Sequence, residues 1–218
     1  MTARTLRLAV MLSGSGTTLQ NLIDRIADGR LTGVEIALVI SSRSTVAGVE
    51  RARRAGLPPQ IIRTKDFDGV EAFSAAIVER LDAARVDLVV LAGWLCYWVL
   101  PQRWIGRVLN MHPALLPSFG GQGMYGHHVH EAVLARGCKV TGCTVHLVNN
   151  EYDAGPIVAQ ACVPVAEDDT PDTLAQRVMA AERELYPRAI ELFRDGRLTV
   201  EGRRVKVRGE RRVVNDEA

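Results

Sequence analysis

The chain has 218 residues, 47% of them hydrophobic and 24% charged, with a formal net charge of +2. That balance describes a globular protein. It gives no apolar run long enough for a membrane-spanning helix and no excess charge pointing to nucleic acid. The start, Met1 to Thr5, leads directly into a strand-like run and lacks the pattern of a signal peptide; the cysteine usage described below leads us to expect a cytoplasmic protein, with no membrane partner.

In chain order, Leu6–Leu12 is a continuous apolar run, the pattern of a strand buried on both faces. Residues 13–18, Ser-Gly-Ser-Gly-Thr-Thr, form a turn. Leu19, Leu22, Ile23 and Ile26 follow at helical spacing. Glu35–Ser41 is a second strand, and Val46–Ala55 is a helix stopped by Gly56 and Pro58-Pro59. Gln60–Arg63 is a short strand. Val70–Ala84 is a helix with Phe73, Ile77, Val78 and Leu81 on one face. Asp87–Ala92 and Arg107–His112 read as further buried strands. This alternation predicts a mainly parallel sheet with right-handed crossovers.

The second half changes character. Gly120–Gly126 has four glycines in seven residues, a loop able to approach a ligand closely. His128–Arg136 is a helix. Thr141–Val148 and Ile157–Val163 are strands joined by a long polar connection. Thr170 caps a helix with Pro171 at its first position, running to Arg194, where Tyr186-Pro187 predicts a bend or break. Leu198–Val207 is a hairpin turning at Glu201-Gly202, and the chain frays after Val214. The expected class is α/β: a Rossmann-like open, mainly parallel sheet flanked by helices, with an extended C-terminal half. We read 1–218 as one domain, with halves at about 6–110 and 111–197 and a tail at 198–218.

Three features carry chemistry. Asn110 and His112 are two apart, so on a strand they share a face, and Pro113 places them near the strand end. An amide beside an imidazole can stabilise an oxyanion and move a proton; the plainer reading is a capped strand end with a core histidine. The turn at 13–18 sets backbone N–H groups and the hydroxyls of Thr17 and Thr18 at a helix N-terminus, which suits a phosphate. It lacks the lysine of a Walker loop and the third glycine of a dinucleotide loop. Asp153, before Gly155-Pro156, reads as turn chemistry; brought near His112, it would orient the imidazole and hold it protonated.

Cys96, Cys138, Cys143 and Cys162 form no C-x-x-C pair, and reduced thiols are expected, with Cys143 and Cys162 in the core. His127, His128 and His130 lack a partner at ligand spacing, so no metal is expected. The basic cluster from Arg203 to Arg212 reads as a solvated face.

From Leu6 to Leu198 the chain resembles the folate-dependent phosphoribosylglycinamide formyltransferases. The most specific segments are Ser13–Gly16, Leu91–Gly93, Arg107–Pro117, Gly142–His146 and Asp153–Pro156. The resemblance implies Asn110, His112 and Asp153 as the catalytic set. It implies Gly16, Thr17 and Thr18 at a phosphate, joined by Arg107, Met111 and Glu182 around glycinamide ribonucleotide. It also implies Trp94, Leu95, Cys96, Tyr97, Asn149, Asn150 and Asp153 around 10-formyltetrahydrofolate, the co-substrate. The reaction so implied is direct formyl transfer with no metal, no nucleic acid, and a monomer or homodimer.

There are departures. Val70 stands where relatives carry a folate-contacting arginine after Phe67-Asp68, and the segment from Trp94 to Pro101 is short. The Gly120–Gly126 loop resembles a variant found in part of the family. Formyltetrahydrofolate hydrolases and methionyl-tRNA formyltransferases share the catalytic half. Their extra N-terminal and C-terminal domains are not expected here. A nucleotide-binding sensor without chemistry would need the 13–18 turn but neither Asn110 nor His112.

Overall fold

The structure is a computed structural model and describes residues 4–209. The expected fraying after Val214 and the end of the basic cluster, Arg211 and Arg212, lie outside these residues.

Strand β1 (Leu6–Leu12) is almost wholly buried, as its unbroken apolar run requires. It pairs in parallel with β2 (Val34–Ser41) on one side and β4 (Leu88–Leu91) on the other. Outside β2 lies β3, only Gln60–Ile61, followed by a 3-10 turn at Thr64–Asp66. Outside β4 lies β5 (Val108–His112), also parallel. The sheet then changes sense. β6 (Val140–Leu147) and β7 (Ile157–Pro164) are antiparallel additions, and the hairpin of β8 (Leu198–Glu201) and β9 (Arg204–Val207) completes the order β3-β2-β1-β4-β5-β6-β7-β9-β8.

Helices cover both faces. On one, α1 (Thr17–Ala27), α2 (Ala47–Arg54) and α5 (Pro171–Arg194) pack over a core that includes Leu8, Val10, Leu19, Leu22, Ala52 and Ile190. On the other, α3 (Val70–Ala83) turns Phe73, Ile77 and Leu81 against Met11, Val89 and three buried tryptophans, Trp94, Trp98 and Trp104. A third cluster lies under α4 (His127–Ala135), where Val133 meets Cys143, Leu174 and Val178.

Thr170 and Thr173 form a reciprocal cap at the start of α5, with Pro171 in the first turn. The helix does not break at Pro187. Pro187 and Tyr186 are both buried, and the Tyr186 hydroxyl reaches the carbonyl oxygens of Leu91 (3.0 Å) and Leu109 (2.9 Å), pinning α5 to β4 and β5. That packing outweighs the hydrogen bond a helical proline gives up. Cys143 is buried as expected, but Cys162 is exposed, because β7 turns Gln160, Cys162 and Pro164 outward at strand period. All four cysteines are free thiols.

Candidate active site

The chain leaves β1 toward β2 on one side and reaches β4 on the other, so the sheet order reverses between β1 and β4. The crevice beyond their carboxyl ends is where open α/β sheets bind ligands. A cleft of about 490 Å³ opens there.

β5 brings Asn110 and His112 to its carboxyl end, and β6 runs antiparallel beside it, setting His146 opposite Asn110 and Thr144 opposite His112. Asp153, on the loop between β6 and β7, completes the group. Its carboxylate lies 3.5 Å from His112 Nδ1, 3.5 Å from His146 Nε2 and 3.5 Å from Asn110 Nδ2. The amide nitrogen of Asn110 is 3.2 Å from His146 Nε2. The backbone N–H of Gly121, in the glycine-rich loop, donates to Asp153 Oδ2 at 3.0 Å. Asp153 has φ +51, a left-handed conformation uncommon outside glycine.

His112 is 3% exposed, and its Nε2 lies 2.8 Å from the carbonyl oxygen of Phe119. A carbonyl can only accept, so Nε2 carries the hydrogen and Nδ1 faces Asp153. Burial lowers the His112 pKa. Asp153 and the Phe119 carbonyl oppose that shift, yet the value stays below the ordinary imidazole range. The balance disfavours the charged ring, because desolvation outweighs the neighbouring carboxylate, which acting alone would favour protonation. For Asp153, burial alone would raise the pKa, but His146, His112 and the Gly121 N–H together hold it low, so the carboxylate is charged.

Thr144 fixes the chain after β5. Its hydroxyl donates to the Ala114 carbonyl (2.6 Å) and accepts from Leu116 N–H (3.0 Å). Roles for Thr144 and His146 escape the sequence reading. Their two-residue spacing on a strand is the available signal, but the partner strand is not legible from spacing.

At the other end of the cleft, Gly16 is the residue before α1, with φ +71. A Cβ there would lie 2.5 Å from the Gly48 Cα, so the turn is pressed against α2. Thr17 and Thr18 line the cleft, and neither hydroxyl has a partner in the protein. Ser13 is used differently. Its hydroxyl accepts from Ser42 (2.7 Å) and from Leu95 N–H (3.0 Å), tying the turn to the wall formed by residues 94–98.

Glu182, on α5, also lines the cleft, without a hydrogen-bond or ion-pair partner, and burial pushes its carboxyl up to about 7. Its surface is partly open to the cleft, but the cleft holds it away from bulk solvent. Met111 packs toward α5 from the opposite side of β5 and lines the cleft as well. Trp94, Leu95, Cys96 and Tyr97 form one wall, and Asn149 lines the same cleft. The rings of Tyr97 and Tyr152 lie 5.5 Å apart at the mouth. No lysine or arginine lines this cleft among the described residues.

Two expected site residues lie elsewhere. Arg107 is at the amino end of β5, the far end from the cleft. It donates to the carbonyls of Asp87 (2.9 Å) and Val86 (2.6 Å) and covers the Trp104 ring. It is a structural brace, and its adjacency to the Asn-x-His run in sequence misleads because a strand separates its two ends. Asn150 stands behind the wall. Its side chain accepts from Leu100 N–H (2.8 Å) and donates to Leu100 O (3.1 Å), so it positions the segment without facing the ligand space. Among the described residues no group of three His, Cys, Asp or Glu side chains is arranged to hold a metal ion.

Residues 6–190 match the formyl transferase family. The chain belongs to that family. It is 34% identical to the phosphoribosylglycinamide formyltransferase of Escherichia coli, over 94% of this chain and 95% of that one. It is 37% identical to the protein of the same name from Haemophilus influenzae, over 88% and 89%. A solved structure of glycinamide ribonucleotide transformylase 1 from Symbiobacterium toebii superposes with a TM-score of 0.87 at 44% identity, covering 95% of each chain. The chain also matches the trifunctional purine biosynthetic protein of Bos taurus at 42% identity, but spans only 18% of its length. The parallel half and the first antiparallel strands both fall within the family match, and the hairpin of β8 and β9 lies beyond it.

Proposed function

We propose that the protein transfers the formyl group of 10-formyltetrahydrofolate to the amine of glycinamide ribonucleotide, a step of purine synthesis in the cytoplasm. The observation that carries this reading is the cluster of Asn110, His112 and Asp153 on a cleft with an unpartnered hydroxyl-bearing turn at one end. Among the described residues no helix is long and apolar enough to cross a membrane.

The ribonucleotide phosphate sits on the N–H groups and hydroxyls of Gly16, Thr17 and Thr18. Glu182 accepts from the substrate amine. The formyl folate lies along Trp94–Tyr97 and the 149–153 loop. The amine nitrogen attacks the formyl carbon, and charge develops on the formyl oxygen. Asn110 Nδ2 donates to that oxygen, and the proton lost by the attacking amine is taken up at His112 Nδ1, beside the charged Asp153. The intermediate collapses with cleavage of the bond from carbon to N10. His112 gives that proton back, by way of water in the Asp153 region, to N10. The products are the formamide and tetrahydrofolate, with no covalent enzyme intermediate. Placement supplies most of the effect.

Purified protein with both substrates should release tetrahydrofolate in step with formylated ribonucleotide. Release without the ribonucleotide would indicate a hydrolase. Formylation of methionyl-tRNA in its place would indicate the tRNA enzyme. No turnover with any of them would leave a binding protein.

A further inference from the structure

His130 is 4% exposed, yet it lines the cleft. Its Nδ1 is sealed from solvent and has no hydrogen-bond partner, and its Nε2 has none either. A leucine would fill the same place without stranding a polar atom. Buried polar atoms are nearly always matched, and an unmatched one calls for a reason. Nδ1 stays sealed in either case, so the pairing open to this ring is at Nε2, which has no partner within the protein.

The tautomer follows from the surroundings. A buried N–H without a partner is rarer than an unmatched lone pair, so the hydrogen belongs on Nε2, the nitrogen that reaches the cleft. Burial, followed by the nearby His127 and His112, lowers the ring's pKa, so it is a neutral donor at pH 7.

Its place in the fold selects the ligand. His130 is on α4, which packs on α5. From α5, Ala175, Met179 and Glu182 line the same cleft at helical spacing, and Met179 and Glu182 continue to Thr17 and Thr18. This wall joins the phosphate turn to His112. The folate wall, at 94–98 and 149–153, is built from other segments.

Resting on the formyl-transfer reading above, we propose that His130 is a substrate-binding residue. It donates its Nε2–H to an uncharged oxygen of the ribonucleotide between phosphate and amine, a ribose hydroxyl or the carboxamide carbonyl. Glu182 accepts from the same ligand, so α4 and α5 hold it as a donor and acceptor pair.

The test is titration calorimetry of the full chain with glycinamide ribonucleotide and, separately, with a folate analogue that carries no formyl group. One neutral hydrogen bond is worth roughly threefold to tenfold in affinity. His130→Leu should weaken ribonucleotide binding by about that factor, leave folate-analogue binding within twofold, and melt no lower than wild type. His130→Gln, whose amide nitrogen can occupy the Nε2 position, should recover most of the affinity. Unchanged ribonucleotide affinity in His130→Leu overturns the proposal, as does equal weakening of both ligands in both variants, which would mark a packing role. Wild-type turnover separately tests the activity; a wild-type protein that binds no ribonucleotide overturns both.

Discussion

The Nδ1 of His112 lies 3.5 Å from the Oδ2 of Asp153, while the ring's other nitrogen is held 2.8 Å from the Phe119 carbonyl. The ring can therefore gain a proton only on the side facing the carboxylate. Asp153 raises the His112 pKa against the larger lowering by burial. In Asp153→Asn the opposing charge is gone, so the His112 titration should move to still lower pH. Turnover should fall about a hundredfold or more, the scale of a lost acid–base partner. Imidazole NMR across a pH series, beside the pH–rate profile, checks this. An unmoved His112 midpoint would break the coupling.

Asn110→Ala should lower kcat about a hundredfold or more and leave both substrate affinities close to wild type, as for removal of one oxyanion donor. Steady-state kinetics decides it. Near-normal turnover would take the oxyanion role from Asn110.

Glu182 gives a pH-dependent trade between stability and binding. Its folded pKa, about 7, is raised from an ordinary 4.5, so the folded state binds the extra proton between these values. The stabilisation from the protonated form is complete below 4.5 and is lost as pH rises through 7. Above that the unpartnered charge costs up to about 3 kcal/mol. Glu182→Gln should raise the melting temperature by several degrees at pH 8 and little at pH 5, and should weaken ribonucleotide binding. Melting curves at the two pH values are the measurement; an equal gain at both would contradict the shift.

The phosphate turn is better probed at its hydroxyls than at its glycine. Any side chain at Gly16 meets Gly48 and an adverse φ, so Gly16→Asp damages the fold before it reports on charge. Thr18→Val removes a hydroxyl at nearly constant shape. It should raise the KM for the ribonucleotide about tenfold, as a hydrogen bond to a charged group is worth, with folate affinity unchanged. A KM equal to wild type would move the phosphate elsewhere.

Asn150 holds Leu100 at two backbone points, and Tyr97 donates to the Asn150 carbonyl at 3.2 Å. Asn150→Ala should speed amide exchange over residues 94–100 and weaken folate-analogue binding severalfold. Ribonucleotide binding should stay as it was. Exchange rates matching wild type would show that the wall is held by other contacts.

Much of the fold is legible because its periodicities are strong. The buried run at Leu6–Leu12, the stripe of Phe73, Ile77 and Leu81, and the Thr170-Pro171 start all lie where their patterns place them. The strand spacing of Asn110 and His112 places both at a carboxyl end. What fails is information that local pattern does not contain. Pro187 sits inside a helix because of Tyr186 contacts to strands 77 and 95 residues away in sequence. The protonation of His112 depends on how deeply its neighbours bury it. Arg107, three residues before Asn110, lies at the opposite end of the strand. Asn150 looks like a pocket residue from its neighbours, but its side chain turns to Leu100. The resemblance supplies the catalytic grouping of Asp153, which no spacing rule yields.

The arginines near this cleft gather at one end of it. Arg51 donates to the Ser15 carbonyl at 3.0 Å, and Arg183 lines a small adjoining pocket with Thr17, Thr18 and Glu182. Positive charge therefore falls where the helix end and the hydroxyls already are, and an anionic ligand is drawn to that end first. Added salt should slow such capture by screening these charges. The uncharged remainder of a ligand is then selected by shape and by the polar atoms further along the cleft.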